Sequence, residues 1–210
     1  MDFSKALGTE FKEFRDVEHE GRPARAVQGS RYFSTDAEDL WQALTQSERL
    51  ARWFPVNGDL QLGGRFQVEN NASGTILQCD RPEALTVTWE FGGNVSWVSV
   101  KVVPEKDGAR LTLVHTMLQD EASEEHWQTY GPGATGVGWD LAFVGLGLHI
   151  DSGGDTVDQV ASFEWMGSDA GKSFIRASAE AWGQAHISGG ESPDVAQAMA
   201  ERTASFYTGE

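Results

Sequence analysis

Polar and apolar residues alternate through much of the first half of the chain. Arg65-Phe66-Gln67-Val68-Glu69, Thr75 to Cys79, Leu85 to Phe91, Val95 to Val103 and Leu111 to His115 all follow this rhythm. It is the period of strands that bury one face and wet the other. Asn70-Asn71, Asp80-Arg81-Pro82-Glu83, Gly92-Gly93-Asn94 and Lys106-Asp107-Gly108 separate them and are turn-forming. Such short connections predict an antiparallel meander. Lys12 to Ser34 is also predicted to be extended, with a turn at Glu20-Gly21, which brings the sheet to six or seven strands.

Helical spacing governs the remainder. Thr35 and Glu38 form a capping-box pattern ahead of Leu40, Ala43 and Leu44. Ser47 is placed to cap a second short helix that stops near Trp53-Phe54, because Pro55 disfavours helical geometry at Phe54. After Met117 an acidic segment, Asp120 to Tyr130, reads as a solvated loop. The glycine-rich run Gly131 to Gly138 reads as a hinge able to gate whatever lies beneath. Trp139, Phe143, Leu146 and Ile150 then share one stripe of a long helix. Two more helices are predicted, from about Asp169 to His186 and from Pro193 behind Ser192. Residues 1–150 are read as one α+β domain and 151–210 as a helical extension packed on it. Left in water, Phe174, Trp182, Met199 and Phe206 would forgo about 25 cal/mol per Å².

The ordered series of motifs resembles a known family. Leu50-Ala51-Arg52-Trp53-Phe54-Pro55, Leu62-Gly63-Gly64-Arg65-Phe66, Gly74-Thr75-Ile76-Leu77, Asp80-Arg81-Pro82-Glu83-Ala84-Leu85, Val87-Thr88-Trp89 and Ala109 to His115 are similar, in that order, to segments of the activator of Hsp90 ATPase homologue-like family. That family lies in the START-like, SRPBCC or Bet v 1-like superfamily, and the likeness covers about residues 30 to 150. It implies a helix-grip fold, a curved antiparallel sheet wrapped around a long C-terminal helix, with a cavity between them. The cochaperone that names the family has a separate N-terminal Hsp90-binding domain, for which no room is expected ahead of the first strand here. The expectation is therefore a module that binds a small apolar molecule, aromatic or polyketide-like, in that cavity. A cyclase or hydratase using the same cavity and a partner of Hsp90-type chaperones are the alternatives.

Charge and composition narrow the partners. With 32 acidic and 16 basic residues the net charge is -16, and no basic cluster stands out, so neither nucleic acid nor a membrane surface is expected as a partner. Met1-Asp2-Phe3-Ser4-Lys5 has neither the basic nor the apolar region of a signal peptide. The single Cys79 excludes an intramolecular disulfide framework. A cytoplasmic protein without a cofactor or metal is expected, and the sequence leaves a homodimer open.

Trp53, Trp89, Phe91, Trp97, His115, Trp139 and Phe143 are the candidate ligand-binding residues. Aromatic rings offer flat apolar walls, and an indole N–H or an imidazole can orient one polar group. Each has an ordinary reading beside this one: the aromatics as core, and His115 as a hydrogen-bonded structural residue. Gly131-Pro132-Gly133-Ala134-Thr135-Gly136 spells the dinucleotide fingerprint G-x-G-x-x-G, but no strand precedes it and the sheet reads as antiparallel, so nucleotide binding is not expected. His126 and His149 have no partner in the pattern and are read as structural or surface residues. No catalytic motif is found, and no residue is assigned a catalytic role.

Overall fold

Three tight turns fix the register of the sheet. Glu20 and Gly21 have φ of 51° and 75°, Gly92 and Gly93 of 59° and 84°, and Lys106 of 55°. Positive φ at the turn residues lets a two-residue loop follow the right-handed twist of its strands. The computed structural model describes residues 2–3 and 8–210; of the N-terminal reading above, Met1, Ser4 and Lys5 lie outside the described residues.

The hairpins join β1 (Phe11–His19) to β2 (Arg22–Phe33), β6 (Ala84–Phe91) to β7 (Asn94–Glu105), and β7 to β8 (Gly108–Leu118). β3 (Val56–Gly58), β4 (Arg65–Val68) and β5 (Ser73–Asp80) complete the meander. The result is one eight-stranded antiparallel sheet in the order β1-β2-β8-β7-β6-β5-β4-β3. β3 is the strand that the pattern did not predict. Its three residues are too few to display a period.

α1 (Ala37–Thr45) and α2 (Ser47–Leu50) lie between β2 and β3. The cap of α1 falls one residue later than expected: Asp36, not Thr35, accepts the backbone N–H of Asp39. Thr35 donates its hydroxyl to the Asp39 carboxylate instead. The acidic segment forms a helix, not a loop. α3 (Glu121–Tyr130) starts at Asp120, which accepts from the backbone N–H of Ser123 in a capping box. Trp127 is the buried anchor of α3 and sits 5.1 Å from the ring of Phe14.

The long helix α4 (Gly133–Asp151) crosses the inner face of the sheet. Its other side is covered by α6 (Asp169–Ser188), with α7 (Pro193–Thr208) outside it and α5 (Gln159–Gly167) beside it. α5 was not predicted. Val157 docks its N–H on the Arg52 carbonyl just before this helix, and Asp158 then caps it. In the extension Trp182 and Ile175 are fully buried and Met199 nearly so, whereas Phe206 remains 63% exposed.

Gly131 closes α3 with a φ of 59°, and Gly133 and Gly136 are packing positions inside α4, not a hinge. A Cβ on Gly136 would lie 2.2 Å from the Trp182 ring, and one on Gly133 3.1 Å from Thr203. A helix sandwiched between a sheet and a second layer needs such bare positions to bring its neighbours close. Gly136→Ala is accordingly expected to destabilise by about 1–3 kcal/mol through overpacking. Gly145→Ala on the same helix would make ordinary contacts with the Trp53 carbonyl at 3.4 Å and the Trp53 ring at 3.9 Å and should be neutral or gain up to ~1 kcal/mol of helix propensity. Thermal unfolding of the two variants checks the contrast.

Candidate functional site

The inner face of the sheet is set by pairing parity. Val87 pairs with Val98 and Leu85 with Val100; Val100 pairs in turn with Leu113, and Val98 with His115. Cross-strand partners share a face, so these side chains point toward α4. Trp89 pairs with Ser96 on the same face. Between this surface and α4 lies a cavity of about 110 Å³. Trp53, Trp89, Trp139 and Phe143 are part of its wall, together with Phe54, Phe66 and Ala142. Thr45 is the only polar residue among those lining it, and its hydroxyl is already donated to the Trp41 carbonyl at 2.8 Å. The Trp53 indole N–H is likewise engaged, donating to the Ala43 carbonyl at 2.9 Å.

At one end of this cavity the aromatic rings converge on a histidine. Trp89 and Trp139 stand edge to face at 5.2 Å, and His115 lies 6.1 Å from Trp89 and 5.9 Å from Trp139. Trp139 Nε1 donates to His115 Nδ1 at 3.1 Å. His115 Nε2 lies 2.8 Å from Ser96 Oγ, which donates to the Trp89 carbonyl at 3.1 Å. An indole N–H can only donate, so Nδ1 is the acceptor and Nε2 carries the proton. Burial pushes the His115 pKa down to about 4, because a charged imidazole would lose its hydration there. At neutral pH this histidine is uncharged.

Two grooves open on the far side of the cluster. One, of about 220 Å³, touches Phe54, Trp89, His115 and Trp139; the other, of about 380 Å³, runs from His115 to Phe91, Val95 and Trp127. Trp89 lines the inner cavity and both grooves, and Trp139 the inner cavity and the first groove. Phe54 and Ala142 also line both the inner cavity and the first groove, so the two indole rings form the partition together with them.

Six of the seven candidate residues are therefore brought to one region, though not to one surface. Phe91 has the inward parity of Trp89 but lies at the end of β6, where it is 59% exposed and borders the outer groove. Trp97 lies elsewhere. It pairs with Thr88 and Thr116, has the parity opposite to Val98, and stacks on His19 at 3.8 Å on the outer face. Ser99 and Lys101 mark that same face in the sequence, so alternation along β7 could have excluded it. Ser96, Phe54 and Ala142 were not singled out. For Ser96 the same parity was the available signal; for Phe54 and Ala142, no pattern tied either to the site.

His149 sits apart from this cluster, whereas His126 borders the second groove. His149 is buried; it accepts from Arg49 Nε at 3.2 Å through Nε2, and its Nδ1 donates to the Asp155 carbonyl at 2.8 Å. His126 is exposed and packs against the Tyr130 ring. Among the described residues, no group of three or more His, Cys, Asp or Glu is arranged to hold a metal ion, and no helix is long and apolar enough to cross a membrane.

Comparison with known proteins agrees with this architecture. The solution structure of CalU16 from Micromonospora echinospora superimposes with a TM-score of 0.70 at 29% identity, over 89% of this chain and 99% of that one. Its crystal structure gives 0.65 at 26%, over 83% and 96%. Protein MLL2253 from Mesorhizobium loti shares the fold, with a TM-score of 0.53 at 22% identity over 61% and 98%. No curated protein sequence matches the chain. Residues 34–146 match the family described as activator of Hsp90 ATPase homolog 1-like protein. The sheet that grips α4 and the match over its strands lead to one conclusion: the chain belongs to the activator of Hsp90 ATPase homolog 1-like family, within the helix-grip superfamily.

Proposed function

We propose that the protein binds a small apolar ring compound in the cavity between the sheet and α4. The observation that carries this reading is the lining: aromatic and aliphatic walls in which the polar atoms named above already have partners. An apolar space of this kind stays dry, and a cavity of about 150 Å³ is known to admit benzene. At about 110 Å³ this one is of single-ring scale. A larger, polyketide-like ligand requires Trp139 and Trp89 to swing aside. The inner cavity would then join the first groove, and the two together reach the lower end of the ~300–1,000 Å³ usual for ligand pockets.

The same geometry weighs against acid–base catalysis at this site. His115 is the one titratable side chain lining the first groove. With a pKa near 4 it is a weak base; Asp120 and His126 border the second groove, but both imidazole nitrogens face Trp139 and Ser96, so no carboxylate orients it.

Toluene is the direct probe. It should raise the thermal midpoint by several degrees near saturation, since a ligand at 100 times its Kd stabilises by about 2.7 kcal/mol. Ala142→Leu, which fills the space from α4, should raise the midpoint without ligand and abolish the response to toluene. A toluene response that persists unchanged in Ala142→Leu would reject the cavity as the binding site.

The family match favours a second reading, stimulation of an Hsp90 ATPase through a surface of the protein. Adding the protein to an Hsp90 ATPase assay separates the two, and clear stimulation would reverse their order.

A further inference from the structure

We propose that the partition at the mouth of the cavity selects a phenol: the ring enters the apolar space and its hydroxyl inserts between Trp139 Nε1 and His115 Nδ1. This rests on the ligand-binding reading and names the chemical class that the same site prefers.

The inference comes from the direction of the hydrogen-bond chain. Trp139 donates to His115, His115 to Ser96, and Ser96 to the Trp89 carbonyl. Every proton in the chain is assigned, because the first donor cannot accept and the last acceptor cannot donate. A ligand that moves Trp139 aside breaks the first link. It exposes one donor, the indole N–H, and one acceptor, Nδ1, that had satisfied each other at 3.1 Å. Each then needs a new partner, because a buried polar atom left unpaired costs affinity.

A hydroxyl supplies both functions at one atom: it accepts from Trp139 and donates to His115. A carbonyl or ether oxygen answers only the indole and leaves Nδ1 without a donor. A carboxylate does the same and brings an unpaired charge to a neutral imidazole, in a protein of net charge -16. Position sets the ligand's orientation. His115 touches only the outer grooves, whereas Trp139 touches the inner cavity and the first groove. The hydroxyl therefore lies at the mouth and the apolar ring points inward, toward Phe143 and Leu113.

Isothermal titration of the full chain with p-cresol, 4-methylanisole and toluene at neutral pH tests this. The three share a ring and a methyl group and differ only in the polar function. A purely apolar cavity would rank toluene first, because the hydroxyl of p-cresol is better hydrated in water. The proposal ranks p-cresol first, by about ten-fold over 4-methylanisole, the scale of one buried group left unpaired. The Trp139 indole and His115 imidazole nitrogen resonances should shift on binding p-cresol. Trp139→Phe should keep the preference for p-cresol over 4-methylanisole, since donation to Nδ1 survives. His115→Phe should erase it.

If p-cresol and 4-methylanisole bind equally to the wild-type protein, or toluene binds tightest, the phenol proposal is overturned while the apolar-ligand reading stands. If none of the three binds, the cavity reading fails and the proposal with it. The ranking on the wild-type chain decides the matter even if His115→Phe does not fold.

Discussion

Asp140→Ala is expected to cost about 3–5 kcal/mol, the usual loss when one partner of a buried ion pair is removed. Asp140 is fully buried on the side of α4 that faces α6. One carboxylate oxygen accepts the backbone N–H of Thr9 at 2.8 Å and the Thr9 hydroxyl. The other accepts from the Ser178 hydroxyl and from Trp182 Nε1, the latter at 3.2 Å, and lies 3.0 Å from Lys12 Nζ. Lys12 is itself only 12% exposed. A single side chain thus ties the segment before β1 and helix α6 to the central helix. Alanine would leave the ammonium of Lys12 and several donors facing a void. Total stabilities of about 5–15 kcal/mol make this a large fraction. Urea unfolding reads the loss directly. Lys12→Met combined with Asp140→Leu should recover much of it, since removing both charges avoids the unpaired one. A loss below ~1 kcal/mol for Asp140→Ala would show that the network contributes little.

The second large effect is on the pH dependence of stability. The His115 pKa falls from an ordinary 6.5 to about 4 on folding, with burial as the cause. The unfolded chain therefore takes up the proton first as the pH drops. The stability contributed by the neutral imidazole is fully present above about pH 6.5 and is lost as the pH falls through about 4. At 1.36 kcal/mol per unit the shift amounts to about 3 kcal/mol. Burial also lowers the pKa values of His149 and His186, so their contributions have the same sign. Denaturant midpoints of the wild type between pH 7 and pH 4 should fall steeply. His115→Phe should flatten the profile by about its own share and leave the smaller slope of the other two histidines. A His115→Phe profile as steep as that of the wild type would remove His115 as the main acid-sensitive group.

Strand identity was written locally. Side-chain alternation, Gly92-Gly93 and Lys106-Asp107-Gly108 are enough to predict a meander, because period and turn geometry depend on neighbours a few residues apart. The stripe of Trp139, Phe143 and Leu146 likewise predicted the helix that the sheet grips. Trp89 and Trp139 could be picked out as wall candidates for the same reason. Local signals failed where two readings share one composition. The acidic segment from Asp120 has the residues of a loop, but Trp127 finds Phe14 in β1 and Arg25 in β2, and that burial sustains α3. The glycines at 133 and 136 resemble a hinge until Thr203 and Trp182 arrive from 46 or more residues away.

What the sequence determined by itself is the strands of the meander, the gripped helix and the last two helices, since these are long enough to show a period along the chain; β3, α3 and α5 lay beyond it. What only the tertiary structure decided is which groups meet. The pairing of β7 with β8 puts Ser96 and Val98 beside His115 and turns Trp97 to the opposite face. The crossing of α4 brings the Trp139 indole to the imidazole. The packing of α6 surrounds Asp140. Each of these contacts joins residues far apart in sequence, and its energy depends on burial and hydrogen-bond direction, two quantities that do not exist until the layers have closed around them.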